Sequence, residues 1–386
     1  MPAPDRESDE RFMRRAMALA RRGWARTSPN PMVGALLVRA GRVIGQGWHR
    51  QAGRPHAEIE AFADARAKGF SPRGATLYVT LEPCCTHGRT PPCTEAIVAH
   101  GVRRVVAAAT DPNPKHAGRG FDILRNAGIR VTTSVLERPE WDLNEAFRHW
   151  ICHRTPWVTL KAAMTLDGKI ATASGQSKWI TGEQAREEGM RLRCESDAIL
   201  VGVATLLADD PSLTVRGPWA ARRAGRPLRR IVLDSRARTP TTAKVVTDDH
   251  AGETTIVVTS EAPARRLEAL ERRVAVLRAP SDGNGAVDVG WLTKRLGDEG
   301  VTRLLVEGGG EVHGSFLDGG WVRQVAFFYA PMILGGSKSR KAVAGIGVES
   351  LAEVHHLADV RWRWLGSDGM LTARLARNDL RFMPVE

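Results

Sequence analysis

Short apolar runs alternate with helix-patterned stretches along the whole chain, and the alternation starts afresh near residue 155. That pattern restricts the chain to a layered α/β architecture in which helices cover sheets. In the first series, a helix over 9–24 places Phe12, Ala16, Leu19 and Ala20 at helical spacing. The runs VGALLV and RVIGQGWH, separated by RAG, predict a hairpin. A helix over 56–68, a buried strand in ATLYVTLEP, a helix over 92–100, a strand in RRVVAAATD, a helix in GRGFDILRNAG and a strand in IRVTTSV follow. Residues 137–154 are expected as one connecting helix. In the second series the strands are WVTLKAAMT, DAILVG, RRIVLD, TTIVVTS, RRVAVLRA, TRLLVEGG and QVAFFYAP, with helices over 182–195, 288–297 and 310–318. RGPWAARRAGRP is expected as an exposed basic loop, and residues 217–290 carry no legible motif. A chain of 386 residues exceeds one ordinary core, so two domains are expected, 1–150 and 151–386. The halves share no period, which argues against a repeat.

Three of the five cysteines, Cys84, Cys85 and Cys93, fall within ten residues. The opening stretch MPAPDRESDERFMRR lacks an apolar core and no run of about 18 apolar residues exists. A cytoplasmic protein with no membrane segment is therefore expected. Thiols stay reduced in that compartment, so the cluster reads as metal-binding or catalytic rather than as a disulfide framework. His56 with Cys84 and Cys93 makes a zinc set with one coordination place open, the catalytic rather than the structural pattern. Such an ion lowers the pKa of its water to about 7. Glu58, two residues after His56, is then the candidate acid/base. His-x-Glu followed by Pro-Cys is the zinc-deaminase arrangement. The spacing departs from the general form: eight residues, not two, separate Cys84 from Cys93. The insertion CTHGRTPP reads as a loop that folds back, with Cys85 as a packed thiol and His87 pocket-facing or solvated. His56 and Cys93 both stand at helix starts, where the helix dipole favours thiolate and hydroxide. A closed site using Cys85 as fourth ligand is the alternative, and it leaves Glu58 without a role.

In the second half, VEGGGEVHGSF is a strand, a glycine turn and a helix start, whose backbone amides suit a phosphate. MILGGS is a second glycine turn, and the usual dinucleotide fingerprint is missing. The net charge of +13 fits anionic small molecules; with no lysine-rich tail or interleaved aromatic stripe, nucleic acid is not an expected partner.

The stretches TSPNPMVGALLV, GWHRQAGRPHAE, LYVTLEPCCTHGRTPPC and DPNPKHAGRGFDILRNAGI resemble the deaminase half of the bifunctional riboflavin-biosynthesis deaminase/reductases. LKAAMTLDGKIATASGQSKWIT, RLRCESDAILVGVATLLADDPSLTVR and LLVEGGGEVHGSFL resemble the reductase half. The resemblance implies a cytidine-deaminase-like three-layer domain followed by a dihydrofolate-reductase-like domain. It implies deamination of 2,5-diamino-6-(5-phosphoribosylamino)pyrimidin-4(3H)-one, then NADPH reduction of the ribosyl group to ribityl. It carries zinc ligation to His56, Cys84 and Cys93, proton transfer to Glu58, and substrate contact to Asn30, His49 and the DPNP turn. On the reductase side it carries cofactor contact to Ala163, Trp179, Thr205 and Asp209, with Gly309, Gly310, Gly314 and Ser315 on the phosphates. Substrate contact falls to Ser177, Arg193, Leu213, Arg216 and Glu307, the two arginines suiting the substrate phosphate. Lys161 and Asp167 are polar site groups without an assigned role. A homo-oligomer is expected, since the second-domain fold commonly associates. The competing readings are a nucleic-acid base deaminase with an appended binding domain, which calls for Pro-Cys-x-x-Cys, and a zinc-stabilised nucleotide-binding regulator, which calls for a closed metal site.

Overall fold

A computed structural model of the chain describes residues 6–87, 91–223 and 225–376. It divides into two compact units between Arg154 and Thr155. The first unit runs α1 (Arg6–Ala20), β1 (Gly34–Arg39), β2 (Arg42–Trp48), α2 (Ala57–Ala67), β3 (Thr76–Leu81), α3 (Cys93–Ala99), β4 (Arg104–Ala109), α4 (Arg119–Asn126), β5 (Arg130–Thr132), α5 (Glu137–Leu143) and α6 (Glu145–His153). Its sheet has the order β2-β1-β3-β4-β5, with β1 antiparallel to both neighbours and β3, β4 and β5 parallel.

Successive side chains of a strand point to opposite faces, and here both faces are covered. Leu36, Tyr78 and Val106 meet Phe12, Met13 and Ala16 of α1. Leu37, Leu77 and Val105 meet Ala57, Ala61 and Phe62 of α2 on the other side. Coverage of both faces explains why β1, β3 and β4 are continuously apolar rather than alternating. Gly47 sets how close α2 lies: a Cβ there would stand 2.4 Å from the Ala57 carbonyl. The first turn of α2, and His56 with it, is thereby held against β2. Under α1, the buried Asp9 accepts from Arg104 at 2.6 Å and from the Tyr78 hydroxyl at 2.8 Å.

Residues 137–154 are two helices, not one. The chain breaks at Asn144, whose backbone sits at φ −112°, ψ 24°. Asparagine competes with helical hydrogen bonding by bonding elsewhere, and its amide is turned onto Met32.

The second unit runs β6 (Trp157–Thr165), β7 (Lys169–Ala171), α7 (Glu183–Glu195), β8 (Ala198–Gly202), α8 (Val203–Asp209), α9 (Pro218–Arg222), β9 (Arg229–Leu233), α10 (Lys244–Thr247) and β10 (Thr254–Val258). It continues with α11 (Ala264–Glu271), β11 (Ala275–Arg278), α12 (Val289–Asp298), β12 (Arg303–Val306), α13 (Gly310–Asp318), β13 (Val322–Ala330), β14 (Arg340–Lys341), β15 (Leu357–Leu365) and β16 (Asp368–Leu375). Nine strands form one sheet, in the order β11-β10-β9-β8-β12-β6-β13-β16-β15. It is parallel from β11 to β13, and β16 and β15 add an antiparallel edge. Leu160, Leu200 and Leu304 pack under Leu292, Leu296 and Phe316 on one face; Ile199, Val232 and Ile256 pack with Leu206 and Leu267 on the other.

The helices α8 and α11 and the β15–β16 hairpin are additions to the sequence expectation. The basic stretch 216–227 is more than an exposed loop. It contains α9, and Arg223 is buried, donating to the carbonyls of Arg193, Cys194 and Ser196 at 3.1, 2.8 and 2.8 Å. The last carbonyls of α7 have no intrahelical partner, and a guanidinium with five donors satisfies several at once. Burial pulls the Arg223 pKa down to about 10. Among the described residues, no helix is long and apolar enough to cross a membrane.

Candidate active sites

In the first unit, His56 is the residue capping α2, Cys93 opens α3, and Cys84 lies just beyond β3. Their ligand atoms all lie within 4.8 Å of one another. His56 Nδ1 stands 3.3 Å from Cys93 Sγ and 3.5 Å from Cys84 Sγ. A tetrahedral zinc with ordinary Zn–N and Zn–S bonds requires N···S edges of about 3.6 Å, so the three donors fit the ion. The Cys93 backbone N–H donates to Cys84 Sγ at 3.4 Å, steadying that sulfur as an anion. The hydrogen bond from Cys93 first, and that to His56, hold the Cys84 thiol below its ordinary range. The hydrogen bond to Cys84 first, then burial, pushes the Cys93 thiol up.

Glu58 lies in the first turn of α2, buried and hydrogen-bonded to the Cys93 thiol. Burial, then the Cys84 charge, pushes its carboxyl up to about 6. Cys85 is outside the metal-ligand group found among the described residues, and its half-buried thiol is raised by burial. His87 is mostly exposed and faces Glu95 at 3.9 Å. Of the insertion between the cysteines, residues 88–90 lie outside the described residues, so the expected fold-back of that loop does too.

Asn30 and His49 border this cluster. The His49 ring stands edge-on to the His56 ring, centroids 5.5 Å apart. His49 Nδ1 lies 3.1 Å from the Pro55 carbonyl and Nε2 lies 3.1 Å from Asn30 Nδ2. A neutral ring that donates from Nδ1 and accepts at Nε2 satisfies both contacts. Burial lowers the His49 pKa, which favours that neutral form. The DPNP turn is built by Glu82, which accepts from the Asp111, Gly118 and Gly120 N–H groups at 3.0, 2.9 and 2.8 Å. Beside it, His116 bridges Asp111 at 2.7 Å and Thr86 at 2.9 Å. Glu82 and His116 were not singled out by sequence reasoning. Glu82 accepts from N–H groups 29 to 38 residues away, and His116 ties local Asp111 to Thr86, 30 residues away.

In the second unit a cavity of about 710 Å³ opens at the carboxyl ends of β6, β12 and β8. Open α/β sheets place ligands at the carboxyl ends of their strands. Ala163, Ser177, Trp179, Thr205 and Asp209 are on its wall. So are Arg193, Leu213, Arg216, Glu307, Gly309 and Gly310. Gly314 and Ser315 are not. A Cβ at Gly314 would stand 2.2 Å from the Ala344 carbonyl, so that glycine serves packing, and Ser315 Oγ donates to Glu311 O within the helix. The Arg193 guanidinium is engaged: it donates to both Glu307 oxygens, at 2.7 and 2.8 Å, and to Thr214 O at 3.0 Å. Lys161 Nζ stands 3.7 Å from Glu307 on the same wall. Arg216 is exposed on that wall. Ser177 Oγ donates to Asp209 at 2.8 Å, tying the loop before α7 to α8. Trp179 is 70% exposed, with the Arg186 guanidinium 4.7 Å over its ring. Asp167 accepts from the Thr165 hydroxyl and from the Leu334 and Gly335 N–H groups, and these bonds, Thr165 first, hold it at about pKa 2.

Residues 156–371 match the family described as RibD C-terminal domain. The chain belongs to the RibD family. Residues 6–109 match the cytidine and deoxycytidylate deaminase zinc-binding region, the segment that holds His56, Glu58, Cys84 and Cys93. The riboflavin biosynthesis protein RibD of Bacillus amyloliquefaciens is 41% identical over 368 residues, covering 95% of this chain and 96% of that protein. The Acinetobacter baumannii RibD structure superposes with a TM-score of 0.85 at 35% identity, covering 97% of this chain and 100% of that one. A crystal structure from Thermotoga maritima matches with a TM-score of 0.79 at 35% identity, covering 96% of this chain and 99% of that one. That protein is described as a diaminohydroxyphosphoribosylaminopyrimidine deaminase/5-amino-6-(5-phosphoribosylamino)uracil reductase. The expected pairing of a cytidine-deaminase-like domain with a reductase domain is therefore the RibD arrangement. The RibD relatives match both units at once, which neither the base-deaminase nor the regulator reading accounts for.

Proposed function

We propose that this chain performs two consecutive steps of riboflavin biosynthesis on one phosphorylated intermediate, with a deaminase domain in the unit that ends at Arg154 and a reductase domain in the unit that begins at Thr155, a boundary that keeps α6 (Glu145–His153) whole where the expected one at 150 would split it. The carrying observation is a His56, Cys84 and Cys93 cluster with buried Glu58 at its side, in one chain with a cavity bordered by a glycine turn.

In the first step His56 Nδ1 and the Cys84 and Cys93 sulfurs would hold zinc. When bound, zinc supplies a water whose pKa is about 7. Glu58 would pass one proton of that water to the pyrimidine ring nitrogen and the second, released from the new hydroxyl as it becomes the carbonyl, to the departing amine. Its burial beside Cys93 keeps bulk water from short-circuiting the transfer. Asn30 and His49 hold the ring. The amine leaves as ammonia and a carbonyl replaces it.

In the second step the cavity would hold NADPH, with Ala163, Trp179, Thr205 and Asp209 against the cofactor and the Gly309–Gly310 amides at its phosphates. The chemistry such a cofactor would supply is hydride for the opened ribosyl carbon. Arg216 is the exposed guanidinium for the substrate phosphate. Arg193 acts on the substrate through Glu307, which it holds in place, and Ser177 and Leu213 complete the substrate wall. Lys161, whose Nζ stands 3.7 Å from Glu307 on the same wall, is placed to supply the proton.

The protein works in the cytoplasm as a homo-oligomer. Support for association is β15, an edge strand carrying Val360, Trp362 and Trp364 exposed on one side. Exposed, long, apolar edges are ready templates for pairing. Purified zinc-loaded protein given the diaminopyrimidine ribosyl phosphate tests the function: ammonia release without NADPH, then NADPH oxidation, is the expected sequence of events.

A further inference from the structure

Between α5 and α6 the chain leaves the helix at one residue, Asn144, and buries its amide. Asn144 Oδ1 accepts the Met32 N–H at 2.8 Å, and Nδ2 donates to the Met32 carbonyl at 2.9 Å. One side chain thus satisfies both backbone groups of a residue just ahead of β1, as a neighbouring strand would. Nδ2 also donates to Glu140 Oε1 at 2.7 Å. Glu140 is wholly buried, and its presence fixes which way the amide faces.

Met32 closes the 27–32 segment, which turns through the Asn30 N–H to Thr27 O bond of 2.8 Å. Two residues before Met32, Asn30 reaches His49, whose ring abuts His56. The clamp, the turn and the zinc cluster form one connected path: Asn144 to the Met32 backbone, to Asn30, to His49, to His56. A residue two peptide units from a clamped backbone has little freedom to drift. Pro29 and Pro31 stiffen the backbone on either side of Asn30, so an anchor at Met32 is transmitted to the Asn30 amide.

We propose that Asn144 is a positioning residue of the deamination site. It holds the 27–32 turn so that Asn30 meets the pyrimidine ring. This rests on the substrate role given to Asn30 above. Neither glycine nor cysteine spacing points to Asn144, and its partner lies 112 positions away.

The test is a double-mutant cycle on the full zinc-loaded protein, using Asn30→Ala, Asn144→Ala and the pair. kcat and KM for ammonia release are measured together with zinc content and NADPH oxidation on the deaminated substrate. Asn144→Ala is expected to raise the deamination KM about tenfold, the scale of a lost buried hydrogen bond, with kcat within about twofold. In the Asn30→Ala background the same change is expected to add less than about twofold, because residues on one path are not additive. Zinc content and reductase rates stay at wild-type values. Should Asn144→Ala lose zinc or reductase activity, Asn144→Ser decides by the same cycle. It leaves a neutral hydroxyl at the clamp without setting a second carboxylate against Glu140 and the Met32 carbonyl, and its rise in KM is likewise expected to shrink below about twofold in the Asn30→Ala background. An unchanged KM, or an equal rise with and without Asn30, overturns the positioning role. An Asn30→Ala variant with wild-type KM removes the role of Asn30 itself, and the inference with it. A wild-type protein that releases no ammonia overturns the deaminase reading instead.

Discussion

Arg193 and Glu307 face one another on the cavity wall through two N–H···O bonds of 2.7 and 2.8 Å. Burial opposes the Glu307 charge, but Arg193 and then Lys161 outweigh it and hold the carboxyl at about pKa 2. A carboxyl depressed below its unfolded value contributes stability that is present above about pH 4.5 and lost as pH falls through the folded pKa. The reductase unit is therefore expected to keep this contribution from neutrality to about pH 4.5 and to lose it progressively toward pH 2. Glu307→Gln strands a buried guanidinium, a loss of about 3 kcal/mol or more. The expected outcome is a lower unfolding midpoint for the second unit and a collapse of NADPH oxidation with ammonia release intact. Arg193→Lys should not rescue, since an ammonium cannot make the two-bond fork.

Glu58→Gln keeps the size of the side chain and removes its proton exchange. Ammonia release is expected to fall by at least about a hundredfold. Zinc content measured by metal analysis should stay at wild-type level, because Glu58 is outside the His56, Cys84 and Cys93 set. Retained deamination would take the acid/base role away from Glu58.

Chelation of the metal, or Cys93→Ser, is expected to abolish ammonia release. NADPH oxidation on substrate deaminated in advance should continue at its normal rate, because the reductase cavity is built within the other unit. Loss of both activities would mean the metal supports more than deamination.

Arg223→Ala removes a buried guanidinium from the carbonyls that end α7. A destabilisation of about 1 to 2 kcal/mol is expected, from the lost charge-assisted hydrogen bonds, since Arg226 still donates to the Cys194 and Ser196 carbonyls and the Ser196 N–H to that of Arg193. Thermal unfolding should show the second unit melting earlier while deamination survives at moderate temperature. A wild-type melting profile would show that water replaces the guanidinium without loss.

Much of both sheets is legible in the sequence, because β1, β3, β4, β8 and β10 are buried on both faces and therefore read as unbroken apolar runs. The zinc cluster is legible for a different reason: thiols are scarce here, and a His-x-Glu near a Pro-Cys is a local pattern. What is missed depends on distant partners. The break at Asn144 is caused by Met32, and the burial of Arg223 is caused by the end of α7; both look like ordinary polar positions in their own windows. Asp9 reads as a surface residue in an amphipathic helix until Arg104 and Tyr78 come beneath it. The glycine turn announces a strand-to-helix junction, but not which glycine faces the cavity. Gly309 and Gly310 do, whereas Gly314 makes room for Ala344. Arg193 fits a phosphate by residue type, but Glu307 already occupies its fork.

The most direct test of the account is a single time course on the purified, zinc-loaded protein. The diaminopyrimidine ribosyl phosphate is added first, ammonia is followed to completion, and NADPH is added next while its absorbance is read. The account predicts one equivalent of ammonia before any NADPH is present, followed by oxidation of one equivalent of NADPH. NADPH oxidation with no prior ammonia, or neither signal, would contradict it.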